Sequence, residues 1–360
     1  MADFFGTPSD DAGPVDNPMG LDGFEFIEYA SPNPEELRIL FRKLGFKAVA
    51  RHRSKNVTLY RQGDINFLIN AEPDSFAQRY AFAHGPSICS MAFRVSDAKK
   101  SYKHALANGG QPVLSDAGPM ELNIPAIEGI GGSRLYLVDR YGDHTIYDVD
   151  FVPYSDPADA DVKECGLLMI DHLTHNVYQG RMSYWAEFYE NIFNFSELKY
   201  FDIDGKKTGL TSKAMTSPCG KIHIPLNESK DSKSQIVEYL TEYRGEGIQH
   251  VAFGSKDIYK TVEQLHDNDV PLQDTLNAYF DLINDRIDKH DEDVEELRKH
   301  RILIDGSEED GILLQIFTNT VIGPIFFEII QRKGNNGFGE GNFKALFESI
   351  ELDQMRRGVI

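Results

Sequence analysis

The sequence predicts an α+β protein whose fold is written twice along the chain. Three observations carry this. Hydrophobic periodicity breaks at residues 154–166, YSDPADADVKECG, where Pro, Asp and Ala gather between two strand-like runs, so a linker between two domains is expected there. The order of elements is alike on either side of that break. A strand-then-helix segment of the first half, SICSMAFRVSDAKKSYKHALANGGQPV, also lines up with GIQHVAFGSKDIYKTVEQLHDNDVPL of the second, with Asp97 and Asp257 in the matching turn.

Taken in order, residues 1–22 are acidic and broken by Pro and Gly, without the basic start and apolar core of a signal peptide, and read as a flexible leader. A first domain, 23–153, opens with the strand-like FEFIEYAS and the helix-like PEELRILFRKLGF, whose apolar residues recur at three and four and which ends in Gly before an aromatic. A second domain, 167–360, repeats the pattern with LLMIDHLTH and RMSYWAEFYENIFNF. Each half then offers two strands about a polar turn, GSRLYLVDRYGDHTIYDVDFV set against GILLQIFTNTVIGPIFFEIIQ. Between them, DRIDKHDEDVEELRKHR, with His290 and His300, reads as a solvated helix. The closing NNGFGEGNFKALFESIELDQMRR has glycines at 337, 339 and 341, a spacing that fits neither GxGxxG nor a P-loop, so this loop is rejected as a nucleotide site. Phe343, Leu346, Phe347, Ile350 and Leu352 approximate one face of a terminal helix at about 338–355.

Composition narrows the function. With 57 acidic against 37 basic residues the net charge is −20, which argues against nucleic acid or an anionic membrane as partner. No apolar run approaches the roughly 20 residues of a membrane helix. Cys89, Cys165 and Cys219 are few and scattered, with no disulfide framework or CxxC motif, and a cytoplasmic location fits best.

The chemistry-bearing residues sit in runs that normally exclude charge. His172 lies in LLMIDHLTHNV, His250 in GEGIQHVAFGS and Glu328 in GPIFFEIIQRKG, and 78 residues separate His172 from His250 and His250 from Glu328. A carboxylate among Ile325, Phe326, Phe327, Ile329 and Ile330 must be paired, protonated or metal-bound, because burying it alone costs several kcal/mol. Two imidazoles and a carboxylate are the ligand set of a non-haem Fe(II) facial triad. His175, an odd step from His172, faces the other way on a strand and reads as a surface or packing residue, and His223 as a strand polar residue. The duplication sets His250 opposite Ser90 and Glu328 opposite Asp148, and FEFIEYAS offers no His, so the metal site is expected in the second half alone.

IDHLTHNV, TGLTSKAM, IPLNE, GEGIQHVAF, LLQIFT, FFEIIQR and GFGEGNFKALFESIE resemble the 4-hydroxyphenylpyruvate dioxygenases of the vicinal oxygen chelate superfamily, closest to the bacterial branch, from about Asn17 to Gly358. The resemblance implies duplicated βαβββ modules forming two half-open barrel domains, with one Fe(II) per subunit on His172, His250 and Glu328. It implies conversion of 4-hydroxyphenylpyruvate and O2 to homogentisate and CO2, with no separate 2-oxo acid, and a homo-oligomer, tetramer or dimer, formed through the first domain. It further places Ser212, Asn227, Gln235, Gln249 and Gln315 as catalytic polar groups, and Phe317, Phe326, Phe338, Asn342, Phe343 and Phe347 around the substrate, the last four on a C-terminal lid. Amides and a hydroxyl suit a phenol and Phe rings its aromatic body, yet either Gln at 235 or 249 also suits an exposed strand edge or helix, and Phe317 and Phe326 ordinary core. Hydroxymandelate synthase shares fold, metal and substrate, but Phe317 matches the ring-hydroxylating pattern. A catalytically silent binding protein on the same scaffold is the rival from another class.

Overall fold

The computed structural model describes residues 16–155, 159, 161–205, 207–287 and 289–358, apart from the side chains of 345–350, 352, 353 and 356. Among these, runs of alternating and continuous apolar residues form two eight-stranded mixed sheets. The first holds β1 (Phe24–Ala30), β2 (Lys47–His52), β3 (Val57–Gln62), β4 (Ile65–Asn70), β5 (Ser87–Arg94), β6 (Ala126–Glu128), β7 (Arg134–Val138) and β8 (Phe151–Pro153), in the order β6-β7-β5-β1-β4-β3-β2-β8. The second holds β9 (Leu167–Val177), β10 (Ser196–Asp204), β11 (Gly209–Thr216), β12 (His223–Ser229), β13 (Gly247–Ser255), β14 (Leu303–Ser307), β15 (Gly311–Phe317) and β16 (Phe326–Lys333), in the order β10-β11-β12-β9-β13-β16-β15-β14. Each sheet is a half-open barrel with β1 and β5, or β9 and β13, antiparallel at its centre; the second is two βαβββ modules, whereas in the first β5 is followed on its side by β7 and β6 alone, and β8 pairs with β2 at the other edge. The matching turns at Asp97 and Asp257 are helix N-caps, each carboxylate accepting an N–H three residues on, from Lys100 at 2.9 Å and Lys260 at 3.2 Å.

The sheets pack on one another through an aromatic seam in which Phe67 meets Phe253 at 5.8 Å and Phe327 at 6.5 Å between ring centroids. One apolar core runs through both. The segment joining the sheets is correspondingly tied down: buried Asp159 accepts Ala48 N–H at 3.0 Å and pairs with Arg42, and Gln62 Oε1 accepts Cys165 N–H at 2.6 Å.

Three expectations need correction. The leader 1–22 is too long: residues 1–15 lie outside the described residues, but Asn17 Oδ1 accepts Leu21 N–H at 2.8 Å, and Met19 and Leu21 are buried in the core. The charge-rich stretch is not one helix: its first two residues end the short helix Ile283–Arg286, His290 lies outside any helix, and Val294–His300 forms a second short helix that Asp293 caps. The closing strands were matched out of phase. Backbone pairing sets His250 beside Phe326 and Ser90 beside Arg134, so β16 corresponds to β7 and Glu328 to Tyr136, while Asp148 is exposed in a short helix beyond β7. The same registers set His172 opposite Phe26. Ser90 does correspond to His250, and among the described residues the one such ligand group is His172, His250 and Glu328.

His175 is a packing residue, fully buried on β9, with Nε2 2.8 Å from the Tyr189 hydroxyl. Burial pushes its pKa down to about 3, against about 6.5 in an unfolded chain. Between those values the unfolded chain takes up a proton that the native chain refuses, so stability is full above pH 6.5 and is lost as pH falls, at up to about 1.4 kcal/mol per unit. We expect His175→Gln to flatten the decline in urea-unfolding free energy between pH 6.5 and 5 by roughly 1–2 kcal/mol relative to the parent. Identical slopes would remove His175 as a source of acid sensitivity.

Candidate metal centre

His172 on β9, His250 on β13 and Glu328 on β16 meet inside the second barrel because these three strands are adjacent at its centre. Glu328 Oε2 lies 3.2 Å from His172 Nε2 and 3.3 Å from His250 Nε2, and the two Nε2 atoms are 3.3 Å apart. Ligand bonds of about 2.1 Å to a common centre give donor separations of about 3.0 Å at right angles and about 3.4 Å at the tetrahedral angle. The triangle therefore fits a metal ion held on one face, with the opposite positions left to other ligands.

The charge balance favours the same conclusion. Burial disfavours charge on all three groups. At His172 the Glu328 and Asp171 carboxylates outweigh it and push the pKa up to about 9, at Glu328 the imidazoles outweigh it and hold the pKa down to about 2, and at His250 burial prevails and the pKa falls. With protein charges alone, a proton on His172 serves as the site's cation; a divalent metal takes over that role and displaces it.

Both imidazoles are aimed by β-bulges. Pairing between β9 and β13 steps over Asp171 on one strand and Gln249 on the other, each one residue before a ligand. The bulge lets neighbouring side chains touch: Asp171 Oδ1 is 2.9 Å from His172 Nδ1, and Gln249 Oε1 is 3.1 Å from His250 Nδ1. Each oxygen accepts from Nδ1–H and so leaves the Nε2 lone pair for the metal, with the tautomer inferred from these partners. Asp171, 1% exposed, is in turn gripped by the Arg332 guanidinium through two bonds of 2.8 Å. Glu328 Oε1 accepts from Gln315 Nε2 at 2.7 Å, Gln315 Oε1 accepts from Asn342 Nδ2 at 2.8 Å, and Asn342 Oδ1 accepts from the Tyr279 hydroxyl at 2.7 Å. That relay ties the carboxylate ligand to the C-terminal helix Glu340–Arg357.

We expect Asp171→Asn to weaken metal affinity by about 10- to 100-fold, because an amide anchors His172 less well than a carboxylate and leaves Arg332 buried without its counter-ion. Competition with a metal-sensitive dye reads this directly, and unchanged affinity would reduce Asp171 to a purely structural ion pair.

A pocket adjoins the ligands, lined by Thr174, Phe201, Ser212, Pro225, Asn227, Gln315, Phe317, Phe338, Glu340 and Phe343. Ser212 on β11 and Asn227 on β12 stand directly opposite one another, and Asn227 Oδ1 is buried with no hydrogen-bond partner among the described residues. Phe338 closes the pocket, its ring 5.4 Å from that of His172 and 5.8 Å from that of His223, a strand residue as expected. Phe326 stacks on His250 at 4.7 Å rather than lining the free space. Gly339 starts the closing helix at φ +70, where a Cβ would collide with Gln315 Oε1.

Gln235 lies in the first turn of the outer helix Gln235–Tyr243 and Gln249 behind His250, so neither lines this pocket. The Phe347 side chain lies outside the described residues. Asp171 and Arg332 are not apparent from a search for metal ligands, yet a signal exists: Asp171 is a second charge in the apolar run LLMIDHL and needs a cation.

Residues 169–283 match the family described as "Glyoxalase/Bleomycin resistance protein/Dioxygenase superfamily", and residues 15–152 match "Hydroxyphenylpyruvate dioxygenase, HPPD, N-terminal". Fold and ligand group thus define a metal-binding protein of the glyoxalase, or vicinal oxygen chelate, class. The chain is 61% identical to "Hemolysin VllY" of Vibrio vulnificus over 96% of its own length and 98% of that protein, and 57% identical to "4-hydroxyphenylpyruvate dioxygenase" of Pseudomonas aeruginosa over 96% and 97%. Among solved structures, a "xylose isomerase-like TIM barrel/4-hydroxyphenylpyruvate dioxygenase fusion protein" superposes with a TM-score of 0.80 at 36% identity, covering 94% of this chain and 54% of that longer one. The chain belongs to the 4-hydroxyphenylpyruvate dioxygenase family.

Proposed function

We propose that the chain is an Fe(II) enzyme that converts 4-hydroxyphenylpyruvate and O2 to homogentisate and CO2 in aromatic amino-acid breakdown. The observation that carries the reading is the pocket itself: a His172–His250–Glu328 group at one end, Phe317, Phe338 and Phe343 as walls, and the unpartnered Asn227 Oδ1 beside Ser212. When bound, the metal supplies a Lewis-acid and redox centre with adjacent positions for a 2-oxo acid and O2 together. Because the substrate carries its own 2-oxo acid, no second one is needed.

The protein's residues supply orientation and exclusion of water. Asn227 Oδ1 accepts a phenolic O–H, which removes its unsatisfied state and fixes the far end of the ring. The Phe walls hold the ring flat, with Phe317 setting the face presented to the centre. Gln315 acts through Glu328, and Gln249 through His250, as positioning residues. The pocket's free volume is about 30 Å³, room for one water, so the Phe338 segment and the helix after it must open for the substrate to enter.

Among the described residues no helix is long and apolar enough to cross a membrane, and a cytoplasmic dimer or tetramer completes the reading. O2 uptake by the Fe(II)-loaded chain with 4-hydroxyphenylpyruvate, followed by chromatography, tests it. Homogentisate is the expected product; 4-hydroxymandelate would assign the other outcome on this scaffold, and no uptake would make the chain a binding protein.

A further inference from the structure

We propose that the first barrel is a second small-molecule site, selective for an ammonium head on an aromatic body, with Glu28 as its anchor. β1, β4 and β7 line a cavity there, as their counterparts β9, β12 and β16 line the pocket at the metal centre. Registers set Glu28 in the place of Thr174, Asn70 in that of Asn227 and Ser90 in that of His250. The cavity holds about 450 Å³, within the range of about 300–1,000 Å³ usual for ligand sites. It stays open because its cover is the loop 113–125, without a counterpart of β14 or of the helix that closes the second barrel.

Its charges pair off, with one exception. Lys55 meets Glu121 at 2.7 Å, Arg134 meets Asp116 at 2.8 Å and Arg53 meets Asp150 at 3.1 Å. Glu28, 8% exposed, accepts only from neutral donors, Asn70 Nδ2 at 2.7 Å and Ser90 Oγ, and among the described residues no Lys or Arg pairs with it. His52 also lines the cavity, and burial lowers its pKa. A lone carboxylate at the floor of a space walled by Phe26, Leu68 and Phe151 attracts a cation and repels an anion, and the rings favour an aromatic body beneath a cationic head.

Tyramine, titrated calorimetrically into the intact chain at pH 7 with 3-phenylpropionate as its anionic counterpart, tests this. One-to-one binding of tyramine is expected, weakened about tenfold or more in Glu28→Gln while 4-hydroxyphenylpyruvate turnover is unchanged. Should that variant not fold, Ile124→Trp fills the cavity from its covering loop without touching the carboxylate, and is expected to abolish tyramine binding. Absence of tyramine binding, preference for 3-phenylpropionate, or tyramine affinity unchanged in either folded variant overturns the assignment.

Discussion

Glu328→Ala is expected to eliminate turnover while leaving the fold intact. Glu328 is the one anionic ligand of the three and the point at which both imidazoles converge, so its removal takes away charge, geometry and the anchor of Gln315 together. A metal centre contributes several kcal/mol to the reaction, which corresponds to a loss on the order of 10³-fold or more. His172→Ala and His250→Ala are expected to do the same, since three protein ligands leave none to spare. Asp148→Ala, at an exposed position beyond β7, serves as the control and should retain parental turnover. Bound iron, circular dichroism and O2 uptake measured on one preparation separate loss of metal from loss of fold. Turnover near the parent in any ligand variant would remove that residue from the centre.

Truncation before Gly337 is expected to leave iron binding largely in place and lower homogentisate formation by about 100-fold, the scale of a lost active-site enclosure. All three ligands precede the cut. What goes is the cover from Phe338 and Phe343 and the Asn342 bond to Gln315, so the pocket opens to water and Glu328 loses the far end of its relay. The helix also docks through Glu351, whose Oε1 accepts Thr208 N–H at 2.7 Å, so the cut frees the β10–β11 turn as well. Phe343→Ala and Asn342→Ala separate these effects: the first opens the pocket, the second slackens Glu328. Both are expected to consume more O2 per homogentisate, because decarboxylation needs only the 2-oxo acid in place whereas ring attack needs the ring held still. An unchanged ratio in all three variants would make this segment a docked terminal helix and nothing more.

The duplication and the ligands were legible in the sequence for a physical reason. Charged side chains in apolar strand runs are costly, so His172, His250 and Glu328 stand out against their neighbours, and helix caps such as Asp97 and Asp257 recur in phase. What failed was phase along short strands. Two runs of apolar residues can be slid past one another with little change in pattern, and only the hydrogen-bonded register shows that Tyr136, not Asp148, answers to Glu328. The bulges were equally hidden, because stepping over Asp171 or Gln249 is a property of strand pairing rather than of either strand's composition. Gln249 accordingly reads as a pocket amide in the sequence and proves to brace His250 from behind. The relay through Gln315, Asn342 and Tyr279 joins residues from three distant segments, none of which is distinctive alone.

The bulges have one more consequence. The first sheet carries the same two irregularities, with β1 stepping over Glu25 one residue before Phe26 and β5 over Cys89 one residue before Ser90. Backbone geometry that takes specific pairing to establish is therefore present in both halves, and at the three registered ligand positions only side chains distinguish the metal-binding socket from its twin. Novelty on such a scaffold is inexpensive in mutational steps: Phe26→His, Ser90→His and Tyr136→Glu reproduce the ligand types at registered positions. A gene copy freed from its first task could thus drift toward new ligands without rebuilding its frame, and the two halves of this chain can be seen as one backbone at two stages of that divergence.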